Sequence, residues 1–210
     1  PEDLQHAIVA IEDERFYEHN GIDLQGIIRA GVIGLTSGDF SQGASTLTQQ
    51  LIKNNLFDFM NEDTFYDSVK RKLQEQYLAV QIEKQMDKDA ILESYLNTIN
   101  LGQNCLGVQA AAKRYFGKNV NDLTLSECAV IAGITQSPSR LNPISNPEGN
   151  AKRRKKVLDD MLEQGYIDQA AYDEAMADDV YARIQSVNSV TNESSPYSYF
   201  VDALVLQVID

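Results

Sequence analysis

Apolar residues in this chain recur at helical spacing almost from end to end, and that periodicity narrows its possible folds more than any other feature. Leu4, Ala7, Ile8 and Ile11 fall at i, i+3, i+4 and i+7, behind Pro1, Glu2 and Asp3, which suit a first turn. Leu24, Ile27, Ile28, Gly31, Val32 and Leu35 repeat the pattern, opened by Asp23 and stopped near Gly38. Leu73, Tyr77 and Val80 mark a further amphipathic helix, and Ile91, Leu92, Tyr95, Leu96 and Ile99 another. Thr124-Leu-Ser-Glu127 reads as a capping box before the apolar run Cys128–Ile134. A helix is expected from about Gly149 to Gly165, then a short one capped by Asp168 and running to Met176. Only Val180-Tyr-Ala-Arg-Ile184 reads as extended, so the expected fold class is all-α, mainly helical.

At 210 residues the chain is long enough to bury a core without disulfides or metal. Its two cysteines, Cys105 and Cys128, read as unpaired small apolar residues. Near residue 186 the composition shifts. Ser186 to Pro196 reads as a polar linker, and the apolar stretch Tyr199–Ile209 as the start of something that follows. The expected organisation is one domain over 1–185, with 186–210 as linker and truncated continuation. The chain opens within helix-like sequence and without Met, so it reads as a piece of a longer protein. No run of about 18 apolar residues spans a bilayer. The net charge of −13 argues against nucleic acid as a partner, although 18 cations can still gather locally around an anion.

Three clusters carry possible chemistry. In Ile11-Glu-Asp-Glu-Arg-Phe-Tyr-Glu-His-Asn-Gly21, Glu12 and Asp13 end an apolar helix, where the dipole disfavours negative charge. A partly buried carboxylate there suits a general base, and the same residues also suit an ordinary solvated helix end. His19, with no second His nearby, reads as a packing or hydrogen-bonding residue. In Gly43-Ala-Ser-Thr-Leu-Thr-Gln-Gln-Leu-Ile-Lys53, Ser45 suits an N-cap whose free N–H groups face an anion or sugar. The adjacent Gln49 and Gln50 cannot both face a core. In Lys70-Arg-Lys-Leu-Gln-Glu75, three consecutive cations form a local anion site with Glu75 on the same helical face as Lys72. A second basic run, Lys152–Lys156, reads as a solvated face, with lipid headgroups as the lesser alternative.

Taken in order, these clusters resemble the motifs of the family 51 glycosyltransferases, the peptidoglycan glycosyltransferase domains of class A penicillin-binding proteins and their monofunctional relatives. Glu12-Asp-x-x-Phe16-x-x-His19-x-Gly21 resembles the first motif, Gly43-Ala-Ser-Thr-Leu-Thr-Gln-Gln50 with Lys53-Asn54 the second, and Arg71-Lys-x-x-Glu75 the third. Ile91-Leu-Glu93-x-Tyr95-Leu-Asn97 resembles the fourth, followed by Gly107-x-x-x-Ala-Ala-x-x-Tyr115-Phe-Gly117. Leu125-x-Glu127-x-Ala129 through Pro138-Ser139 and Asn142-Pro143 resembles the fifth. The resemblance covers nearly all of residues 1–180. It implies a lysozyme-like large lobe beside a smaller jaw lobe that touches the membrane, with an anchor before Pro1 and the extracytoplasmic face of the bacterial cell membrane as location. The tail from Tyr199 resembles the passage into a transpeptidase domain.

The resemblance also implies a reaction: lipid II units join into β-1,4 glycan strands, with displacement of undecaprenyl pyrophosphate and inversion at the anomeric carbon. Glu12 is then the general base and Glu75 the second acid. Glu75 orients cations, holds Mg²⁺ or Mn²⁺ near the pyrophosphate, or assists the leaving group. Lys53, Arg71 and Lys72 fall on phosphate-contacting positions, and Ser45, Gln50 and Asn54 on sugar or phosphate contacts. No organic cofactor is expected, and a moenomycin-type inhibitor is expected in the donor site. One departure stands out. The stretch between Lys53 and Glu75 is longer than the family's, and the Arg often found a turn before the Arg-Lys pair is replaced around Asp67. A lysozyme-type hydrolase would also use two carboxylates but has no need of cations beside the second one. A scaffold that binds lipid-linked sugar without turnover is the non-enzyme alternative.

Overall fold

The computed structural model describes residues 1–37, 44–56 and 64–193. They form ten α-helices: α1 Glu2–Glu12, α2 Leu24–Ser37, α3 Leu47–Leu56, α4 Phe65–Ile82, α5 Lys88–Thr98, α6 Val108–Phe116, α7 Leu125–Ile134, α8 Pro147–Glu163, α9 Gln169–Ala177 and α10 Val180–Glu193. Among the described residues there is no strand, only an isolated antiparallel bridge between Asn100 and Leu106. The all-α expectation therefore stands.

Helix α7 forms the centre. Every residue from Ser126 to Ile134 is buried, which explains why its sequence is apolar all round rather than on one stripe. The expected capping box is present, with Glu127 N donating to Thr124 Oγ1 and Thr124 N to the Glu127 carboxylate. Helices α1 and α8 pack on α7 and on each other, while α3 packs on both α4 and α5. Leu4, Ile8, Phe16, Tyr95, Tyr115 and Ile131 are among the largest fully buried side chains. The ends of α1, α3, α5 and α7 thus converge on one region.

Several expectations are corrected. Val180–Ile184 is the first part of α10, not a strand, because Val180, Ile184 and Asn188 fall at i, i+4 and i+8 and are buried together. The polar stretch from Ser186 is helical through Glu193. Ser45 is not the N-cap of α3; Thr46 is, accepting from Gln49 N at 3.2 Å. The run Lys152–Lys156 is not uniformly solvated. Arg154 is buried, donates to Ala175 O and lies over the Tyr181 ring, while Lys155 and Lys156 pair with Asp159 and Asp160 along α8. Gly38, Gly43, Pro196 and the apolar stretch Tyr199–Ile209 lie outside the described residues.

Candidate active site

Glu12 is the last residue of α1, and its side chain keeps 12% of its exposure. Three groups surround its carboxylate. Gln50 Nε2 donates to Oε2 at 2.8 Å, Thr135 Oγ1 donates to Oε1, and Arg153 Nη2 stands 3.9 Å from Oε1. All three are donors, the complement a carboxylate requires. Gln50 is oriented in turn by Tyr95, whose hydroxyl donates to Gln50 Oε1 at 3.2 Å. Burial pushes the Tyr95 phenol well above its ordinary range, and the Glu12 charge adds to that. Tyr95 therefore stays protonated, and with the amide oxygen turned to its hydroxyl, the amide nitrogen faces Glu12.

The next residue, Asp13, anchors the start of α3. Its carboxylate is buried, accepting from Leu47 N at 2.9 Å and from His19 Nε2 at 3.0 Å. Gly21 N donates to His19 Nδ1, which leaves the proton on Nε2, facing Asp13. Gly21 has φ +88, and a Cβ there would meet the Ala79 carbonyl carbon at 2.6 Å. Its own carbonyl accepts from Thr46 Oγ1 at 2.9 Å and Gln49 Nε2 at 3.0 Å. The first motif thus clamps α3 against α4. Of the two adjacent amides, Gln49 takes the buried structural role, while Gln50 meets Glu12. Lys53 and Asn54 follow Gln50 by three and four residues on α3 and so share its face. Lys53 is half-buried there and Asn54 exposed.

The second acid lies on α4. Glu75 is fully buried; Arg71 Nη1 donates to its Oε1, and Lys72 Nζ to its Oε2 at 2.9 Å. Lys72 Nζ also donates to Ser45 Oγ at 2.7 Å, which ties this cluster to the start of α3. Asp67, where the sequence departs from the family pattern, has a structural task. It closes a capping box with Thr64, Asp67 N donating to Thr64 Oγ1 at 3.2 Å and Thr64 N to Asp67 Oδ2 at 3.1 Å. A divalent ion fits poorly at Glu75. Each carboxylate oxygen already accepts from a cation, and the described residues gather no group of three or more His, Cys, Asp or Glu side chains able to hold a metal.

Of the two acids, Glu12 opens into a cavity of about 610 Å³, lined also by Ser45, Arg29, Gln136, Arg153 and Lys156, while Glu75 is buried behind its cations and does not line it. Ser45 lies on its wall, and Lys72 reaches Ser45 from beside Glu75. At the rim Arg15 is paired with Asp23, which also accepts from Gly26 N at the start of α2. Burial pushes the Asp23 carboxyl up, but Arg15 and Gly26 outweigh it and hold the group below its ordinary range. Thr135, Arg153 and Tyr95 are site residues that the sequence reading did not assign. The signal for Arg153 lay in α8, whose buried stripe Val157, Leu158 and Met161 projects one turn back onto residues 153 and 154. Thr135 carried no comparable signal, since its neighbour Glu12 is 123 residues away.

The transglycosylase family matches residues 1–162 of this sequence. The chain belongs to that family. It is 44% identical over 218 residues to penicillin-binding protein 1A of Clostridium botulinum strain Hall, a match covering 99% of this chain and 26% of that protein. Penicillin-binding protein 1A of Vibrio cholerae is 47% identical over 197 residues, covering 94% of this chain and 23% of its own length. The Escherichia coli K12 protein of the same name is 47% identical over 182 residues, covering 87% of this chain and 21% of its own length. The chain spans about a quarter of the length of these relatives.

Proposed function

We propose that this chain is a peptidoglycan glycosyltransferase that polymerises lipid II into β-1,4 glycan strands for the bacterial cell wall. The observation that carries the reading is a pair of differently equipped acids linked through Ser45, which lines the Glu12 cavity and accepts from Lys72, the partner of Glu75. Glu12 is held by donors and faces the cavity, whereas Glu75 is sealed behind Arg71 and Lys72. In the reaction Glu12 accepts the proton of the acceptor's 4-hydroxyl as that oxygen bonds to the donor's anomeric carbon. The bond from that carbon to the pyrophosphate oxygen breaks on the opposite face, and its electron pair leaves with the undecaprenyl pyrophosphate. Fixed cations stabilise charge gathering on the phosphate oxygens. Lys72 and Arg71 are held for that task by Glu75, which acts here as an orienting residue; Lys53 adds a further cation, and Ser45, Gln50 and Asn54 contact sugar or phosphate. A moenomycin-type phosphoglycolipid occupies the same cation set.

Membrane contact belongs to the same reading. Leu24, Ile28 and Val32 form an exposed stripe on α2, and Val69, Leu73 and Tyr77 another on α4, at i, i+4 and i+8 in each case. On α4 this stripe lies roughly opposite Arg71, Lys72 and Glu75. It lines an apolar cavity of about 730 Å³ with Leu56 and Tyr66. No helix among the described residues is long and apolar enough to cross a membrane. Contact of these stripes with the outer face of the cell membrane would present a lipid-linked substrate to the cleft.

The test is polymerisation of labelled lipid II in detergent by this chain and by Glu12→Gln. Polymer from the first and none from the second is expected. Equal polymer from both would remove Glu12 as the base.

A further inference from the structure

A second polar cavity, of about 630 Å³, lies between the loop joining α5 to α6 and the segment that follows α7. Asn100, Gln103, Asn104 and Leu106 form one wall, Pro138 and Ser139 the other. No charged side chain lines it. The glutamate cleft, in contrast, is lined by Glu12, Glu14, Arg29, Arg153 and Lys156. The two cavities are joined by a short run of chain. Thr135 donates to Glu12, Gln136 lines the first cavity, and Pro138 and Ser139 line the second. At 3.8 Å per residue, Thr135 and Ser139 are at most about 15 Å apart.

The wall is held in place before any ligand arrives. Gln103 and Asn104 both have left-handed backbones, φ 51 and 58, which non-glycine residues seldom adopt. The turn is fixed by Cys105 N donating to Gly102 O at 2.8 Å and Leu101 N to Cys105 O at 2.9 Å. The opposite wall touches it, since a Cβ on Gly102 would stand 2.9 Å from Pro138 O. Below, Tyr115 donates to Leu101 O at 2.7 Å and accepts from Asn142 Nδ2 at 3.2 Å. Among the described residues the Asn104 and Ser139 side chains make no hydrogen bond, and Leu106 is 66% exposed beside them.

From this placement we infer that the cavity is a saccharide subsite for an acetamido sugar of the glycan strand, one of the rings beyond those reacting at Glu12. An acetamido group offers one N–H, one carbonyl and one methyl. Side-chain amides give both donor and acceptor, and Leu106 and Pro138 give the apolar contact. Charge decides between the parts of the substrate: the sugar rings are neutral, whereas a stem peptide carries free carboxylates that this lining does not match. The inference rests on the glycosyltransferase reading only for the identity of the strand.

The experiment is an NMR titration of side-chain amides with chitotetraose, and in parallel with a soluble stem pentapeptide, on the wild type, on Glu12→Gln, and on Asn104→Gly with Ser139→Ala. Glycine at 104 keeps the left-handed backbone while removing the side chain. Chitotetraose is expected to shift the amides of Asn100, Gln103 and Asn104 in the wild type and in Glu12→Gln alike. The double variant is expected to bind about tenfold more weakly, the equivalent of about 1.4 kcal/mol. Shifts from the peptide alone, shifts confined to the Glu12 cleft, or no shifts at millimolar sugar would each overturn the subsite. Failure of the chain to polymerise lipid II while chitotetraose still shifts these amides would overturn the proposed reaction and leave the subsite standing.

Discussion

Tyr95 touches no reacting atom in the proposed mechanism, yet its hydroxyl should govern the rate. The perturbation is Tyr95→Phe, which keeps the buried ring and removes only the donor to Gln50 Oε1 at 3.2 Å. That neutral, rather long hydrogen bond contributes about 1 kcal/mol. Its larger effect is to fix the amide so that Nε2 meets Glu12 at 2.8 Å, a bond to a charged acceptor that contributes about 1.5–3 kcal/mol. Without the phenol the amide is free to turn its oxygen toward the carboxylate. A loss of about 1–2 kcal/mol in positioning corresponds to a rate lower by about 5–30-fold. Gln50→Leu removes the amide altogether and is expected to cost about 10–100-fold. The assay is the initial rate of lipid II polymerisation for both single variants and the double variant, with thermal melting alongside. Because Tyr95 acts through Gln50, Tyr95→Phe should cost almost no further rate in the Gln50→Leu background. For a chain of this size the Tyr95→Phe melting temperature should fall by about 2–4 °C. An undiminished rate loss from Tyr95→Phe in the Gln50→Leu background would refute the relay, because the hydroxyl would then act by another route.

Arg71→Met should lower the melting temperature sharply, since removing one partner of a fully buried carboxylate costs about 3–5 kcal/mol. Glu75→Gln in the same chain should restore part of that loss without restoring polymerisation; no recovery of stability would show that the buried charge is not the cause. The donor set at Glu75 leaves no free oxygen for a divalent ion, so a chelator should change the polymerisation rate by less than about twofold, a small barrier difference. A rate that collapses with chelator and returns with Mg²⁺ or Mn²⁺ would contradict this. Arg183 holds Asp178 below its ordinary range, as Arg15 and Gly26 do for Asp23. The native state therefore binds fewer protons at these groups than the unfolded chain. Their stabilisation is complete above the unfolded value of about 3.9 and is lost as pH falls through the lower folded values. Melting temperature against pH should drop in acid, and Asp178→Asn should flatten part of that drop; an unchanged acid slope would remove Asp178 from the account.

What the sequence made legible follows physical range. Helix α7 was readable because its capping box and its apolar run are local, and the structure buries every residue of that run. Asp23 and Asp168 were readable as helix openers for the same reason. Val180–Ile184 misled because Val180, Ala182 and Ile184 alternate as a strand would, while Val180 and Ile184 also stand one helical turn apart. Tertiary burial of Ile184 and Asn188 decided between the two patterns. The site divides in the same way. Glu75 with Arg71 and Lys72 lies within a single turn of α4, so its ion pairs were implicit in the spacing. The partners of Glu12 were not, because Gln50, Thr135 and Arg153 come from three other stretches of chain.

That difference has a structural cause. Glu12 ends α1, and Thr135, the C-cap of α7, is hydrogen-bonded to it, so the C-terminal ends of both helices meet at one carboxylate. Each dipole disfavours negative charge there by about 0.3–1 kcal/mol. The backbone of neither helix can offset this, since its last carbonyls are acceptors like the carboxylate itself. The donors must come from elsewhere. An amide from α3, a hydroxyl from the cap of α7 and a guanidinium from α8 supply them. At about 1.5–3 kcal/mol for a hydrogen bond to a charged group, two such bonds outweigh both dipoles. The balance leaves a carboxylate that is held in place yet open to the cavity, which a base awaiting an acceptor hydroxyl requires. Thr135→Val, which keeps the shape and removes one donor, should therefore lower the polymerisation rate without unfolding the chain. A variant with full activity would show that Gln50 and Arg153 suffice to hold Glu12.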